Sequence, residues 1–146
     1  MNDFNKIEMW TDGACSGNPG KGGWGVLIKN DNNITELSGS EDNTTNNRME
    51  MLAVIKGLKH INNKSIIIIY TDSRYVMDGI TKWIHNWKRN NWKNSQKKDV
   101  KNKDLWMELD QITNNISIQW KWVKGHSGNK ENDIADLLAT SAITKN

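Results

Sequence analysis

The sequence reads as an α/β layered domain: a five-stranded mixed sheet, three antiparallel strands plus parallel strands, flanked by helices. Three observations predict it. Short strand-like stretches separated by Gly- and Asn-rich turns fill the first 40 residues. The unbroken run Ile66-Ile67-Ile68-Ile69 has the composition of a central parallel strand covered on both faces. Four further segments repeat apolar residues at helical spacing.

Taken in order, residues 6–12, 23–29 and 34–40 form three strands of an antiparallel meander. The stretch between the first two, Thr11 to Val26, contains Gly20, Gly22 and Gly25 at the spacing of a dinucleotide-binding loop. That fingerprint needs a helix after it. Here Val26-Leu27-Ile28 and the turn cluster Asp31-Asn32-Asn33 follow, so a strand is expected and no small-molecule cofactor. A helix over 47–61 places Met51, Leu52, Ile55 and Leu58 on its apolar stripe. The four-Ile strand runs on to Tyr70. A second helix after Asp72 has Val76, Ile80, Trp83 and Trp87 on one stripe, and a third covers 104–113. Ile116, Ile118, Trp120 and Trp122 alternate with polar residues as a half-buried strand, and a last helix carries Ile134, Leu137, Leu138 and Ala142. With no repeat and no linker, residues 1–146 are expected to be one domain.

Composition narrows the class. The longest aliphatic run is four residues, far short of a membrane span, and the N-terminus lacks a signal peptide's basic start and apolar stretch. A single Cys15 forms no internal disulfide, so a cytoplasmic protein is expected. The chain is also expected to be a monomer. The net charge of +3 is unevenly spread. Segment 88–103 holds seven basic residues against one acid, Asp99, a local charge of +6 that leaves −3 for the rest. A basic stripe beside an acidic body suits a polyanion partner.

Two acids share a structural address. Asp12 closes the first strand and Asp72 the four-Ile strand, and open α/β sheets carry their sites outside strand carboxyl ends. Either could instead cap a turn or helix. Glu50 lies on a helix face with Ala53, Val54 and Gly57, where an unpaired carboxylate is costly. Asp136 lies near the start of the last helix, where the helix dipole also accounts for an anion. His126 occupies a Gly-flanked loop, in itself an ordinary place for a surface histidine. Carboxylates without a Cys partner suit Mg²⁺ or Mn²⁺ rather than zinc. Such a cluster beside a basic stripe matches the needs of metal-assisted phosphoryl transfer.

TDGACSGNPGKGGWG, TTNNRMEM, YTDSRYV, GITKWIHNWK and WVKGHSGNKEND, in this order, resemble the bacterial type 1 ribonuclease H family. The resemblance covers roughly residues 6–142 and implies a ribonuclease H-like fold. It implies an endonuclease that cuts RNA paired to DNA, leaving a 5′-phosphate and a 3′-hydroxyl. It maps a two-ion Mg²⁺ cluster, with Mn²⁺ as a substitute, onto Asp12, Glu50, Asp72 and Asp136, with Asp12 bridging the ions. Glu50 and Asp136 would complete one shell, and Asp72 would hold the ion beside the attacking water. His126 would serve proton transfer or product release. Asn18, Asn46 and Asn47 would contact the hybrid near the cut, and Thr45 a DNA phosphate. Residues 83–103, with Trp83, Lys88, Lys97, Lys98 and Lys101, resemble the family's substrate-binding handle. The glycines would turn the first hairpin and let its backbone approach the minor groove. Arg74, where a Gln is common in the family, would add a phosphate contact. The alternatives are a hybrid-binding module without catalysis, which could discard carboxylates that are all present, and a metal-dependent DNA nuclease of the same fold, whose members generally lack the handle and the histidine loop.

Overall fold

The computed structural model describes residues 6–61, 66–114, 116–124 and 129–144. Strands β1 (Lys6–Gly17), β2 (Gly20–Asn30) and β3 (Asn33–Thr44) form an antiparallel meander. Helix α1 (Asn46–His60) leads to β4 (Ile66–Thr71), and β5 (Ile118–Trp122) comes near the end. The sheet order is β3-β2-β1-β4-β5, with β4 parallel to both β1 and β5. The mixed five-stranded sheet is therefore as expected. Ile67, Ile68 and Ile69 are buried, as a central strand requires.

Helices lie on both faces. Helix α1 packs over β1 and β2, with α4 (Lys103–Thr113) against it. Helix α5 (Lys130–Thr144) packs on β1, β2 and β3 through a separate small cluster of Trp10, Leu27 and Ala135. Helix α1 starts at Thr45, whose hydroxyl accepts from the Arg48 N–H at 3.2 Å, and ends with Lys59 and His60 in the last turn, which suits the helix dipole.

The first hairpin is longer than expected. Gly13, Ala14, Cys15 and Ser16 have no apolar alternation, yet they pair in register with 21–24, because ladder hydrogen bonds need no side-chain pattern. The turn itself falls at Gly17–Gly20, where Gly17 has φ +94°, a conformation that favours glycine.

The other glycines have a packing role. Gly22, Gly23 and Gly25 lie inside β2. A Cβ on Gly25 would come 2.5 Å from the Ala135 carbonyl oxygen, and one on Gly22 2.8 Å from Met49 Cγ. They bring helices down onto both faces of the sheet.

The second helix also differs. It runs as α2 (Arg74–Asp78), a π-helical turn at Gly79–Trp83, and α3 (Ile84–Arg89). The wide turn lets Trp106 press against Gly79, where a Cβ would come within 2.7 Å of the indole ring. It also rotates the stripe beyond it. Ile84 is 3% exposed, whereas Trp83, expected on the buried stripe, is 38% exposed and packs edge-on against Tyr75.

Candidate active site

Parallel pairing of β1 with β4 sets Thr11 opposite Thr71. The next residue on each side is an aspartate, so Asp12 and Asp72 emerge side by side where the β1–β4 pairing ends. Asp72 lies just past β4, whereas Asp12, expected to close the first strand, lies midway along β1, which goes on pairing with β2 as far as Gly17. Two residues before the aspartates, Trp10 and Tyr70 stack at 4.6 Å on the same face. Glu50 arrives from the α1 layer. Its approach depends on Gly13, because a Cβ there would meet the backbone of Met49 and Glu50. Asp136 stands on α5, near enough to help raise the Asp12 carboxyl.

The ligand oxygens of Asp12, Glu50 and Asp72 lie within 4.8 Å of one another. Asp12 is 5% and Glu50 6% exposed. One Asp12 oxygen accepts from the Gly13 N–H at 2.9 Å, while the buried Glu50 Oε1 has no hydrogen-bond partner. Burial first, then the charge of Asp72, pushes the Asp12 carboxyl up to about 8. Burial first, then Asp12 and Asp72, holds Glu50 well above the usual carboxylate range. Crowded acids with an orphaned oxygen and hard donors only are what a divalent cation relieves, so the residues present fit a Mg²⁺ or Mn²⁺ ion. Asp136 falls outside this tight triad, and His126 lies outside the described residues.

At the start of α1, the helix that carries Glu50, is a cleft of about 110 Å³ lined by Asn18, Thr45, Asn46, Asn47, Lys101 and Asn102. Four of these were singled out from the first half of the sequence, and Lys101 from the basic segment. Asn102 was missed. It has φ +60°, and a slightly unusual backbone there is tolerated best by Gly and Asn. Its place before an apolar run signalled only a helix start, and its side chain does not cap α4.

The basic segment is partly neutralised by its own fold. Lys93 and Lys103 both pair with Asp99, and Lys88 pairs with Asp110 at 3.2 Å. Arg89, Lys97, Lys98 and Lys101 make no ion pair among the described residues. Arg74 stacks over Trp122 at 4.2 Å, two residues beyond Asp72.

The RNase H family model matches residues 4–144. The chain belongs to the RNase H family. It is 54% identical over 141 residues to the Ribonuclease H of Francisella tularensis subsp. novicida, covering 97% of this chain and 93% of the relative. The Ribonuclease H of Francisella philomiragia is 53% identical over the same coverage. Among solved structures, LC9-RNase H1, a type 1 RNase H with the type 2 active-site motif, superposes with a TM-score of 0.86. It is 33% identical, with 99% of this chain and 74% of that chain covered. LC11-RNase H1, solved in complex with an RNA/DNA hybrid, shares the fold at 23% identity and a TM-score of 0.69, with 95% and 97% covered. RNase H enzymes are metal-dependent, and the Asp12–Glu50–Asp72 triad is the matching acidic cluster. No helix among the described residues is long and apolar enough to cross a membrane.

Proposed function

We propose that this chain, as one domain and a cytoplasmic monomer, is an endonuclease that hydrolyses the RNA strand of RNA–DNA hybrids, leaving 5′-phosphate and 3′-hydroxyl ends. The observation that carries the reading is the carboxylate triad, two of its members buried, with a cleft lined by amides and a lysine at the start of the helix that carries Glu50. Asp12, Glu50, Asp72 and Asp136 would hold two Mg²⁺ ions, with Mn²⁺ as a substitute. Bound divalent ions supply a hydroxide near neutral pH and charge stabilisation at phosphorus.

The chain's own residues supply placement. Asn18, Asn46 and Asn47 are short, exposed amides suited to reading 2′-hydroxyls across a shallow minor groove. The Thr45 hydroxyl already accepts from Arg48 N–H, so its proton is left to donate to a phosphate oxygen. Labelled RNA–DNA, RNA–RNA and DNA–DNA duplexes of one sequence, with Mg²⁺ or with EDTA, test this. Only the RNA of the hybrid should be cut, and only with metal. Equal cutting of DNA–DNA would move the chain to the DNA nucleases, and binding without cutting would make it a binding module.

His126 takes the proton-transfer or product-release role. His126→Ala should slow turnover by about 10- to 100-fold, less than loss of a carboxylate, because water partly replaces a positioned proton carrier. A loss as deep as that of Asp12→Asn would make His126 a metal ligand or a structural necessity instead.

The unpaired lysines of the handle grip the duplex backbone. Neutralising Lys97, Lys98 and Lys101 together should raise KM far more than it lowers kcat, because binding common to ground and transition state is lost. The salt slope of binding should flatten by roughly 0.7–0.9 per phosphate contact removed. Parallel slopes for variant and wild type would place this segment away from the nucleic acid.

A further inference from the structure

Just below the two aspartates, four side chains from four adjacent strands line up across the sheet. Lys29 comes from β2, Trp10 from β1, Tyr70 from β4 and Lys121 from β5. Trp10 is the register partner of Tyr70, and Tyr70 is the partner of Lys121. The two rings stack with centroids 4.6 Å apart and planes 7° from parallel. The Lys29 ammonium lies 5.5 Å from the Trp10 centroid and the Lys121 ammonium 6.0 Å from the Tyr70 centroid, both within cation–π reach. Polar ties hold the row in place: the Tyr70 hydroxyl donates to Glu8 Oε2 at 2.8 Å, and Lys29 pairs with Glu131 at 2.7 Å. Burial first, then Glu8, pushes Tyr70 up to about 12, so its hydroxyl stays a donor at neutral pH. The β1–β4 ladder has its last rung at Thr11 and Thr71, one residue short of the acids. No rung of that pairing therefore sets how far apart Asp12 and Asp72 stand. The stacked rings, two residues back on the same face, are the brace nearest to them. Ala135 of α5 packs against Trp10 as well, and Asp136 is the next residue.

We propose that Trp10 and Tyr70 are a positioning pair, whose stack fixes the spacing of Asp12 and Asp72 beyond the last rung and so sets how tightly the carboxylates take up a divalent cation. The proposal rests on the metal-dependent reading above and adds to it the side chains that hold the site in shape. Groups that orient metal ligands from behind are worth about 10- to 100-fold in affinity.

The test is Mn²⁺ titrated into the metal-free protein, with the unbound ion read from its aqueous electron paramagnetic resonance signal, so that no turnover is involved. Tyr70→Val keeps a strand-forming apolar side chain but removes the stack, and should weaken Mn²⁺ binding by about tenfold. Tyr70→Phe keeps the ring and loses only the hydroxyl, so its affinity should stay within about twofold of wild type. Trp10→Phe keeps a smaller ring and drops an N–H that is buried without a partner among the described residues. Its penalty should fall between the two, at about threefold to fivefold, and it carries the test if the valine variant does not fold. Trp106→Ala, which empties the core on the α1 side, should leave Mn²⁺ affinity unchanged although it lowers stability. Wild-type affinity in Tyr70→Val, or in Trp10→Phe where the valine variant does not fold, would overturn the proposal. So would a Tyr70→Phe as weak as Tyr70→Val, or an equal loss in Trp106→Ala, which would make the effect one of general stability. An Asp12→Asn protein that binds Mn²⁺ as well as wild type would instead sink the metal reading itself.

Discussion

Asp12→Asn should reduce hybrid cleavage at saturating Mg²⁺ to less than about a hundredth of wild type, since the metal site is worth several kcal/mol of barrier. Hybrid binding should hardly change. Asp12 is the carboxylate on which the others converge: Asp72 and Asp136 both act on it, and Glu50 lies within the same small cluster. An amide offers a metal one neutral oxygen in place of two charged ones. The amides and lysine that line the cleft are on other elements and keep their positions. Turnover above a few hundredths, or a large loss of binding, would remove Asp12 from its assigned role.

The same substitution should raise the melting temperature of the metal-free protein. The Asp12 carboxyl sits at about 8 in the fold, against an unfolded value of about 4, and Glu50 is raised as well. A raised carboxyl costs the fold stability as pH climbs from the unfolded value through the folded one. The gain from Asp12→Asn in EDTA should therefore be largest near pH 8 and shrink towards pH 5, where a proton already relieves the crowding. A gain independent of pH would mean that the carboxylates do not repel one another in the folded protein.

Trp106→Ala should cost about 3–5 kcal/mol, the range for removing a large buried aromatic. For a chain of this size that corresponds to a melting temperature lower by roughly 9–15 °C. Trp106 is 0% exposed and packs on the Tyr75 and Trp87 rings at 5.3 and 5.4 Å. Its indole N–H donates to the Tyr75 hydroxyl at 3.3 Å, and its ring fills the space that Gly79 leaves. The residue thus joins α4 to the π-helical turn at the base of the handle. Thermal unfolding by circular dichroism checks it. A loss below about 1 kcal/mol would mean that the surrounding aromatics close over the cavity unaided.

Much of this architecture was legible because it is local. The 3.6-residue stripe of α1, the β-branched run of β4 and the alternation of β5 depend on near neighbours in the chain, which sequence displays directly. The chemical identity of the site was legible too, since acids directly after two apolar strand stretches and on an apolar helix face are anomalies that ask for a partner. What failed was wherever packing between distant segments overrode the local pattern. The helix after Asp72 reads as one continuous stripe, yet contact with Trp106 widens it at Gly79–Trp83 and turns Trp83 outward. Gly20 and Gly22 read as part of a turn and Gly23 and Gly25 as strand residues, yet the lack of a Cβ at Gly22, Gly23 and Gly25 serves α1 and α5, whose positions nothing nearby in the sequence reveals.

By itself, then, the sequence determined the order and type of the elements, the acids, and the family resemblance, all properties of residues within a few positions of one another. Only the tertiary structure decided that Thr11 pairs with Thr71, so that two aspartates 60 residues apart meet, and that Gly13 admits Glu50 beside them. It alone joined Arg48 to Asn102 and Asp104 across the cleft. Strand register and helix docking are settled by burying apolar faces and satisfying backbone hydrogen bonds over the whole chain at once, and no short window of sequence contains that information.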